Sequence, residues 1–496
     1  MRIISAPVPA DPIPGSPARN APSTSPTPSA TRAQNSDAPL LVLPRLALSV
    51  TSTMKFLRFA SGLACALTLA ASALAATPAK KPNIIFILGD DVGIGDIACT
   101  GSDRFKTPNI DALARGGTVY SHAYAEPLCG PSRATILTGR YVFRTGATNQ
   151  DATGRFKPTD ETMMPVVLKK AGYVTSAIGK WGQLPLGPAE FGFDDYLKFQ
   201  GSGAYWKSQG KKGESFELNG QRVTVGDKEY IPDLMHAHLV EFLTKHRDDP
   251  FYIYYSMSHI HAEILPTPDS KPDSKDLYAD NIAYMDKLVG KLVAELERLK
   301  LRDNTLLVYF GDNGTGGGHS EAATVKGRRL NGSKGDVLEG GSRVPMVVNW
   351  PGVTPAGRVS HDLIDSSDFF PTFAALAGAP LPAGKIIDGQ SFAPQVRGQS
   401  GKPREWIFIE LARMWYVADQ KWKLNEKGEL FDLSDAPWTE KPVAPGTTDA
   451  AAVAARAKLA AALAQLNPAG GFLDDGDGTG RHANRDENRA KKKKAK

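Results

Sequence analysis

Cysteine is nearly absent: 496 residues hold only Cys65, Cys99 and Cys129, too few for a disulfide framework. Long apolar runs are equally scarce. Phe59–Ala76, at 18 residues, sits at the lower limit for a membrane span, and its small residues and Ala73-Leu74-Ala75 favour cleavage over anchorage. One-signed charge is missing from the body of the chain. The formal +6 arises from +4 in residues 1–75 and +5 in the terminal lysines, leaving −3 elsewhere, so nothing marks a nucleic-acid surface. Two phosphate-binding patterns fail as well. Gly93-Ile94-Gly95 follows Asp90 and Asp91, which would repel a pyrophosphate, and no Gly-Lys-Ser/Thr follows Gly314–Gly318.

What is present is an ordinary globular composition, 41% hydrophobic and 23% charged, long enough for a large domain and a smaller one. Residues 1–53 are rich in Pro, Ser, Ala and Thr and are expected not to fold. Met54-Lys55-Phe56-Leu57-Arg58, the apolar run and the small-residue site read as a signal peptide over 54–75, with Met54 the expected start and a secreted or periplasmic product. A catalytic domain is expected over 80–399, a smaller subdomain over 400–473 and a disordered basic tail over 474–496. Cys99 is expected to be an inert core residue.

Buried-strand runs punctuate the large domain, each ending in chemistry. Asn83–Leu88 runs into Asp90-Asp91, Val174–Ile178 into Lys180, Phe251–Tyr255 into His259 and His261, and Thr305–Phe310 into Asp312-Asn313. Open α/β sheets bind ligands at that edge. Asp90, Asp91, Asp312 and Asn313 offer four hard oxygen donors, a set that suits Ca²⁺ or Mg²⁺ rather than zinc. Beyond residue 400, short strands and the alanine-rich stretch 449–466 predict a small antiparallel sheet packed on one helix. The Gly- and Lys-rich residues 197–230, with Tyr205, Trp206 and Tyr230, read as an insertion shaping access to the site.

The central stretch is Cys129-Gly130-Pro131-Ser132-Arg133, continuing to Leu137-Thr138-Gly139-Arg140. It predicts a turn into a helix stopped by Gly139, with Cys129 at the helix start, where N–H groups favour negative charge. A neighbouring cation and a helix start lower a thiol's pKa, so a thiolate nucleophile is one reading; a buried cysteine in a capping turn is another.

This stretch resembles the signature of the type I, formylglycine-dependent sulfatases of the alkaline phosphatase superfamily. Gly179-Lys180-Trp181, the histidines past the Tyr254-Tyr255 strand, Gly311-Asp312-Asn313-Gly314 and Gly332-Ser333-Lys334-Gly335 follow in that family's order. The resemblance implies an α/β fold with a large, mostly parallel mixed sheet flanked by helices. It implies a sulfate-ester hydrolase acting on a sulfated small molecule or glycan, with Cys129 oxidised by a formylglycine-generating enzyme. It further implies Ca²⁺ (or Mg²⁺) on Asp90, Asp91, Asp312, Asn313 and residue 129, and Arg133 holding the formylglycine diol. Lys180 and Lys334 would bind the sulfate, and His261 would protonate the leaving group, with His259 the runner-up for that role and otherwise a further substrate contact. The chain departs from the pattern at Gly182, where many relatives have histidine. A phosphonate or phosphodiester hydrolase of the same superfamily and a non-catalytic sulfated-glycan-binding protein are the alternatives.

Overall fold

Ile84, Phe86 and Leu88 face one side of the first strand and Ile85 and Ile87 the other, and all five are fully buried. A strand apolar on both faces needs cover on both. The computed structural model supplies it, and describes residues 80–150, 155–182, 184–210 and 216–474. The expectations for residues 1–53, for the leader at 54–75, for Cys65 and for the tail from 475 lie outside the described residues.

The strands of the large sheet are β1 (Asn83–Gly89), β2 (Thr118–Tyr124), β3 (Val174–Gly182), β4 (Asp195–Gln200), β5 (Glu217–Leu218), β6 (Gln221–Arg222), β7 (Phe251–Ser256) and β8 (Thr305–Gly311). After a two-stranded ribbon, β9 (Thr324–Val325) and β10 (Arg328–Arg329), come β11 (Met346–Asn349) and β12 (Arg358–Asp365). The ten-stranded order is β12-β2-β11-β8-β1-β7-β3-β4-β5-β6. The run β8-β1-β7-β3-β4 is parallel throughout, and β11 enters antiparallel between β8 and β2. This is the mostly parallel, mixed sheet the sequence led us to expect.

Helices cover both faces. On the Phe86 side lie α3 (Met164–Lys170) and α6 (Phe369–Ala377), through Leu168, Phe369 and Phe373. On the other lie α1 (Pro108–Arg115), α4 (Ile231–Lys245) and α5 (Leu277–Arg298), through Ile110, Leu239 and Leu292. The helix α2 (Cys129–Thr138) is buried along its whole length and ends at Gly139, whose φ of 67° is the left-handed stop expected of it. The second sheet, β13 (Ile407–Leu411), β14 (Met414–Ala418), β15 (Trp422–Asn425), β16 (Leu430–Asp435) and β17 (Thr439–Pro442), is an antiparallel meander. Against it packs α7 (Ala450–Leu466), through Leu459 and Leu466 on Phe408, Val417 and Leu424. Both sheets fall within one compact unit.

Three departures from the sequence reading have physical causes. β12 and β17 are edge strands with polar, partly exposed sequences, so no buried run announces them. The stretch 197–230 is not simply an insertion: its start completes β4 and its hairpin β5–β6 extends the main sheet. Within it Tyr205 and Tyr230 are buried core residues.

The parallel run places four carboxyl ends side by side. Gly89 pairs with Gly311, Leu88 with both Phe310 and Ser256, and Gly179 with Ser256. Two of these glycines are required by crowding. A Cβ at Gly311 would lie 2.2 Å from the Val92 carbonyl oxygen, and one at Gly179, whose φ is 105°, 2.0 Å from that of Ser256.

Candidate active site and cation centre

Each strand end delivers one part of a single buried cluster. Asp90 and Asp91 leave β1, Lys180 sits near the end of β3, Asp312 and Asn313 leave β8, His261 follows β7, and Cys129 opens α2. Among the described residues, Asp90, Asp91, Cys129 and His261 form the one group of three or more histidine, cysteine and carboxylate side chains whose ligand atoms all lie within 4.8 Å of one another. The Cys129 sulfur is 3.8 Å from Asp90 Oδ1 and 3.9 Å from Asp91 Oδ1.

Asp312 and Asn313 join this group through hydrogen bonds. The Asp91 amide donates to Asp312 Oδ1 at 3.1 Å, and Asn313 Nδ2 donates to Asp91 Oδ1 at 3.0 Å. Asp91 itself has a φ of 64°, unusual for a non-glycine residue and common where a site dictates the backbone.

Three cations offset three carboxylates. Lys180 Nζ is 2.5 Å from Asp90 Oδ1, and Lys334 Nζ is 2.6 Å from Asp91 Oδ1. Arg133 lies on Asp312, with Nη2 at 2.7 Å from Oδ2. Burial pushes the Asp90 carboxyl up despite the opposing Lys180 charge. At Asp91 burial also pushes up, but Lys334, His261 and Lys180 outweigh it and hold the carboxyl below the usual range. Burial lowers His261, against the pull of Asp90 and Asp91.

The donor chemistry fits a hard cation. Asp90 Oδ2 and Asn313 Oδ1 are both buried and have no hydrogen-bond partner among the described residues, an expensive state for polar oxygens unless something positive meets them. Both belong to the four oxygen donors expected from sequence. Three carboxylates and an amide oxygen are the hard donors that Ca²⁺ and Mg²⁺ both take.

Several expectations are revised by this geometry. Arg133 makes its hydrogen bonds to Asp312, Lys180 and Ser256, with the Cys129 thiol close enough to couple to its charge. Its Nε and Nη2 go to Asp312 Oδ2, and its Nη1 to the Lys180 carbonyl at 3.1 Å and to Ser256 Oγ, so the guanidinium ties Asp312 to the ends of β3 and β7. The thiolate reading of Cys129 also weakens. Burial pushes the thiol up to about 11, outweighing Lys180 and Lys334. His259 does not face the cluster. Its ring is fully buried beside Tyr205, Tyr230 and Tyr284, with Nε2 3.0 Å from the Tyr230 hydroxyl. Burial alone lowers it to about 3, and no charged group contributes. Its backbone serves instead, the Asp90 amide donating to its carbonyl at 2.8 Å. His261, whose side chain is 22% exposed, has Nε2 3.8 Å from Asp91 Oδ2 and is the imidazole that faces the cluster.

Residues that sequence reasoning passed over complete the frame. Ser256 holds Arg133, and Gln150 accepts from the Gly130 amide at the start of α2 at 3.0 Å. Asp96, also buried, gathers the Gly93 amide at 2.8 Å, the Thr315 hydroxyl at 2.6 Å and the Tyr278 hydroxyl at 3.0 Å, tying the loop after β1 to the loop after β8. Ser256, a polar residue closing an apolar strand, carried the only sequence signal among them. At Gly182, φ is 73° and no side chain enters the site; the backbone bridges to Gly201.

Comparison with known proteins agrees with this geometry. A family model described as "Sulfatase" matches residues 82–379, and one described as "N-sulphoglucosamine sulphohydrolase, C-terminal" matches 333–441, from the last strands of the large sheet into β17 of the small one. N-acetylgalactosamine-6-sulfatase of Canis lupus familiaris is 32% identical over 379 residues, covering 68% of this chain and 70% of that protein. Arylsulfatase D of Homo sapiens is 29% identical over 448 residues, covering 72% and 75%. Among solved structures, Ps i-CgsB in complex with k-i-k-neocarrahexaose superposes with a TM-score of 0.67 at 30% identity, covering 78% of this chain and 93% of that one.

Proposed function

Because the chain belongs to the sulfatase family and is a sulfuric ester hydrolase, we propose that it works through a formylglycine made from Cys129 beside a bound divalent cation. What carries this reading is one observation. The side chain of residue 129 lies within 4 Å of two carboxylates, at a centre where Asp90 Oδ2 and Asn313 Oδ1 lack any other partner among the described residues. Calcium is the proposed ion, held by Asp90, Asp91, Asp312, Asn313 and residue 129. When bound, it would supply positive charge to draw in the sulfate and polarise its oxygens. The hydrated aldehyde of residue 129 would supply the attacking oxygen, and a second hydroxyl whose collapse restores the aldehyde.

The remaining residues have separable tasks. Lys180, buried, and Lys334, partly buried, present ammonium groups on Asp90 and Asp91 beside residue 129, preorganised to neutralise oxygens of the ester sulfate. His261, partly open to solvent, gives its proton to the departing alcohol oxygen as the S–O bond breaks. Arg133 is a positioning residue that fixes Asp312. Gly182 leaves the backbone close to Lys180 and supplies no proton.

The substrate class is a sulfated carbohydrate or an aryl sulfate, with maturation by a formylglycine-generating enzyme. Export is proposed from the Met54–Ala75 pattern; no described helix is long and apolar enough to cross a membrane. Mass spectrometry of the tryptic peptide carrying residue 129 tests the reading. Conversion of thiol to aldehyde in protein that hydrolyses an aryl sulfate is the expected result; an intact thiol in fully active enzyme would overturn it.

A further inference from the structure

A second charged feature lies beyond the far end of α2. Ten residues of helix carry the chain about 15 Å from Cys129 to Thr138. Just past it, two adjoining cavities of about 500 and 570 Å³ share Arg140, Arg144 and Phe472 as walls. Each is in the size range of a small-ligand site. Arg155, Lys157 and Lys385 bring the lining to five cations, against the carboxylates of Asp160 and Glu161 in the lining and of Asp388 behind Arg144. That excess stands out on a chain whose body is net negative.

The arginines are held rather than loose. Arg140 Nε is 3.1 Å from Glu161 Oε2, Arg144 Nε is 2.8 Å from Asp388 Oδ1 with its guanidinium over the Phe143 ring at 4.6 Å, and Arg155 Nη1 donates to the Leu473 carbonyl at 3.0 Å. Fixing them lowers the entropy lost when an anion binds. Lys157 and Lys385 are exposed at the rim. Phe472, 48% exposed, and Ile386, 60% exposed, present apolar surface between the charges. Fixed guanidinium forks, exposed ammonium groups at the rim (Lys385 Nζ donating to the Asp160 carbonyl) and an exposed aromatic ring match a polymer that alternates anionic groups with apolar ring faces.

We propose that this double cavity is an exosite for a sulfated polysaccharide, separate from the centre at residue 129. The choice of sulfate among anions rests on the function proposed above, while the charge and shape do not. An exosite of this kind would raise the local concentration of a polymeric substrate and leave small esters unaffected.

The test uses the full chain carrying Cys129→Ala, so that binding is read without turnover, and a fluorescent heparin dodecasaccharide over a range of salt concentrations. The double variant Lys157→Ala/Lys385→Ala should bind about ten-fold more weakly, with a salt dependence shallower by about two counter-ions. Lys157→Arg/Lys385→Arg should bind like the parent. The lysine-rich terminus is present in every protein and cancels from the comparison. Equal binding by parent and alanine variant would overturn the exosite, as would equal displacement by neutral dextran or by a DNA duplex of matched charge. With Cys129 intact, the alanine variant should keep its rate on 4-nitrophenyl sulfate within two-fold while losing efficiency on the polymer. Absence of turnover in every protein would count against the catalytic reading and leave the binding result standing.

Discussion

Arg133 places Nε 3.1 Å and Nη2 2.7 Å from the same oxygen of Asp312, and neither side chain reaches solvent. The pair explains why a signature helix must begin where α2 does. Its first turn and a half bring residue 129 to the carboxylates of β1 and a guanidinium to the carboxylate of β8. Removing one partner of a buried pair leaves the other charge uncompensated. Arg133→Met should therefore destabilise the fold by about 3–5 kcal/mol in urea denaturation. Arg133→Lys keeps the charge but loses the fork to Asp312, Ser256 and the Lys180 carbonyl, and should fall between. A neutral outcome for Arg133→Met would show that Asp312 needs no partner.

Cys129→Ala should reduce hydrolysis of an aryl sulfate to background while thermal unfolding changes little, because a small side chain replaces another within a rigid shell. The same protein preparation, wild type, should prefer the aryl sulfate to a matched aryl phosphonate or phosphodiester. The reverse preference would move the enzyme to the neighbouring hydrolases of its superfamily.

The strand ends were readable from sequence because burial on both faces writes a continuous apolar run, and a carboxylate, lysine or histidine directly after it breaks that run abruptly. Hence Asp90, Asp91, Lys180, Asp312 and Asn313 were identified together, and the structure brings them together. What sequence did not disclose is direction. His259 and His261 are two residues apart, and only the fold reveals that one ring enters a tyrosine box while the other meets Asp91. Arg133 was expected on residue 129 and is on Asp312, since nothing local records a partner 179 positions away. Edge strands β12 and β17 were missed because an exposed strand carries no apolar run.

Thorough chelation should abolish activity, and added Ca²⁺ should restore it. Binding to the native state alone adds about 2.7 kcal/mol of apparent stability at a hundred-fold excess over Kd. A rise in the unfolding midpoint with Ca²⁺ is thus expected for the wild type and should shrink in Asp90→Asn and Asn313→Ala. Full activity after chelation would remove the cation from the proposal.

Asp96 gives a pH signature outside the cation centre. Burial raises its carboxyl to about 7, against hydrogen bonds from Thr315, Gly93 and Tyr278 that favour the ionised form. The unfolded chain releases that proton near pH 4 and the folded chain near 7, so the native state binds more protons across this window. Stability should fall as pH rises from about 4 to 7 and level off above it. Asp96→Asn should flatten that part of the profile in chemical denaturation measured at several pH values, without requiring any change in turnover. An unchanged slope would mean that Asp96 is already ionised in the native state.

His261 can be separated from the other site residues by the leaving group. If it protonates the departing oxygen, its removal should matter most when that oxygen is basic. His261→Gln should lower kcat on an alkyl or sugar sulfate by about 10²–10⁴-fold, the usual range for a lost general acid. A 4-nitrophenolate leaves without help, so the loss on 4-nitrophenyl sulfate should be far smaller. His259→Gln offers the contrast. It would break the hydrogen bond to Tyr230 inside the tyrosine box and lower stability, with the same proportional effect on both substrates. Equal losses on the two substrates for His261→Gln would reassign it from proton donor to a binding or structural role, and would leave the leaving-group acid to be sought elsewhere around Asp91.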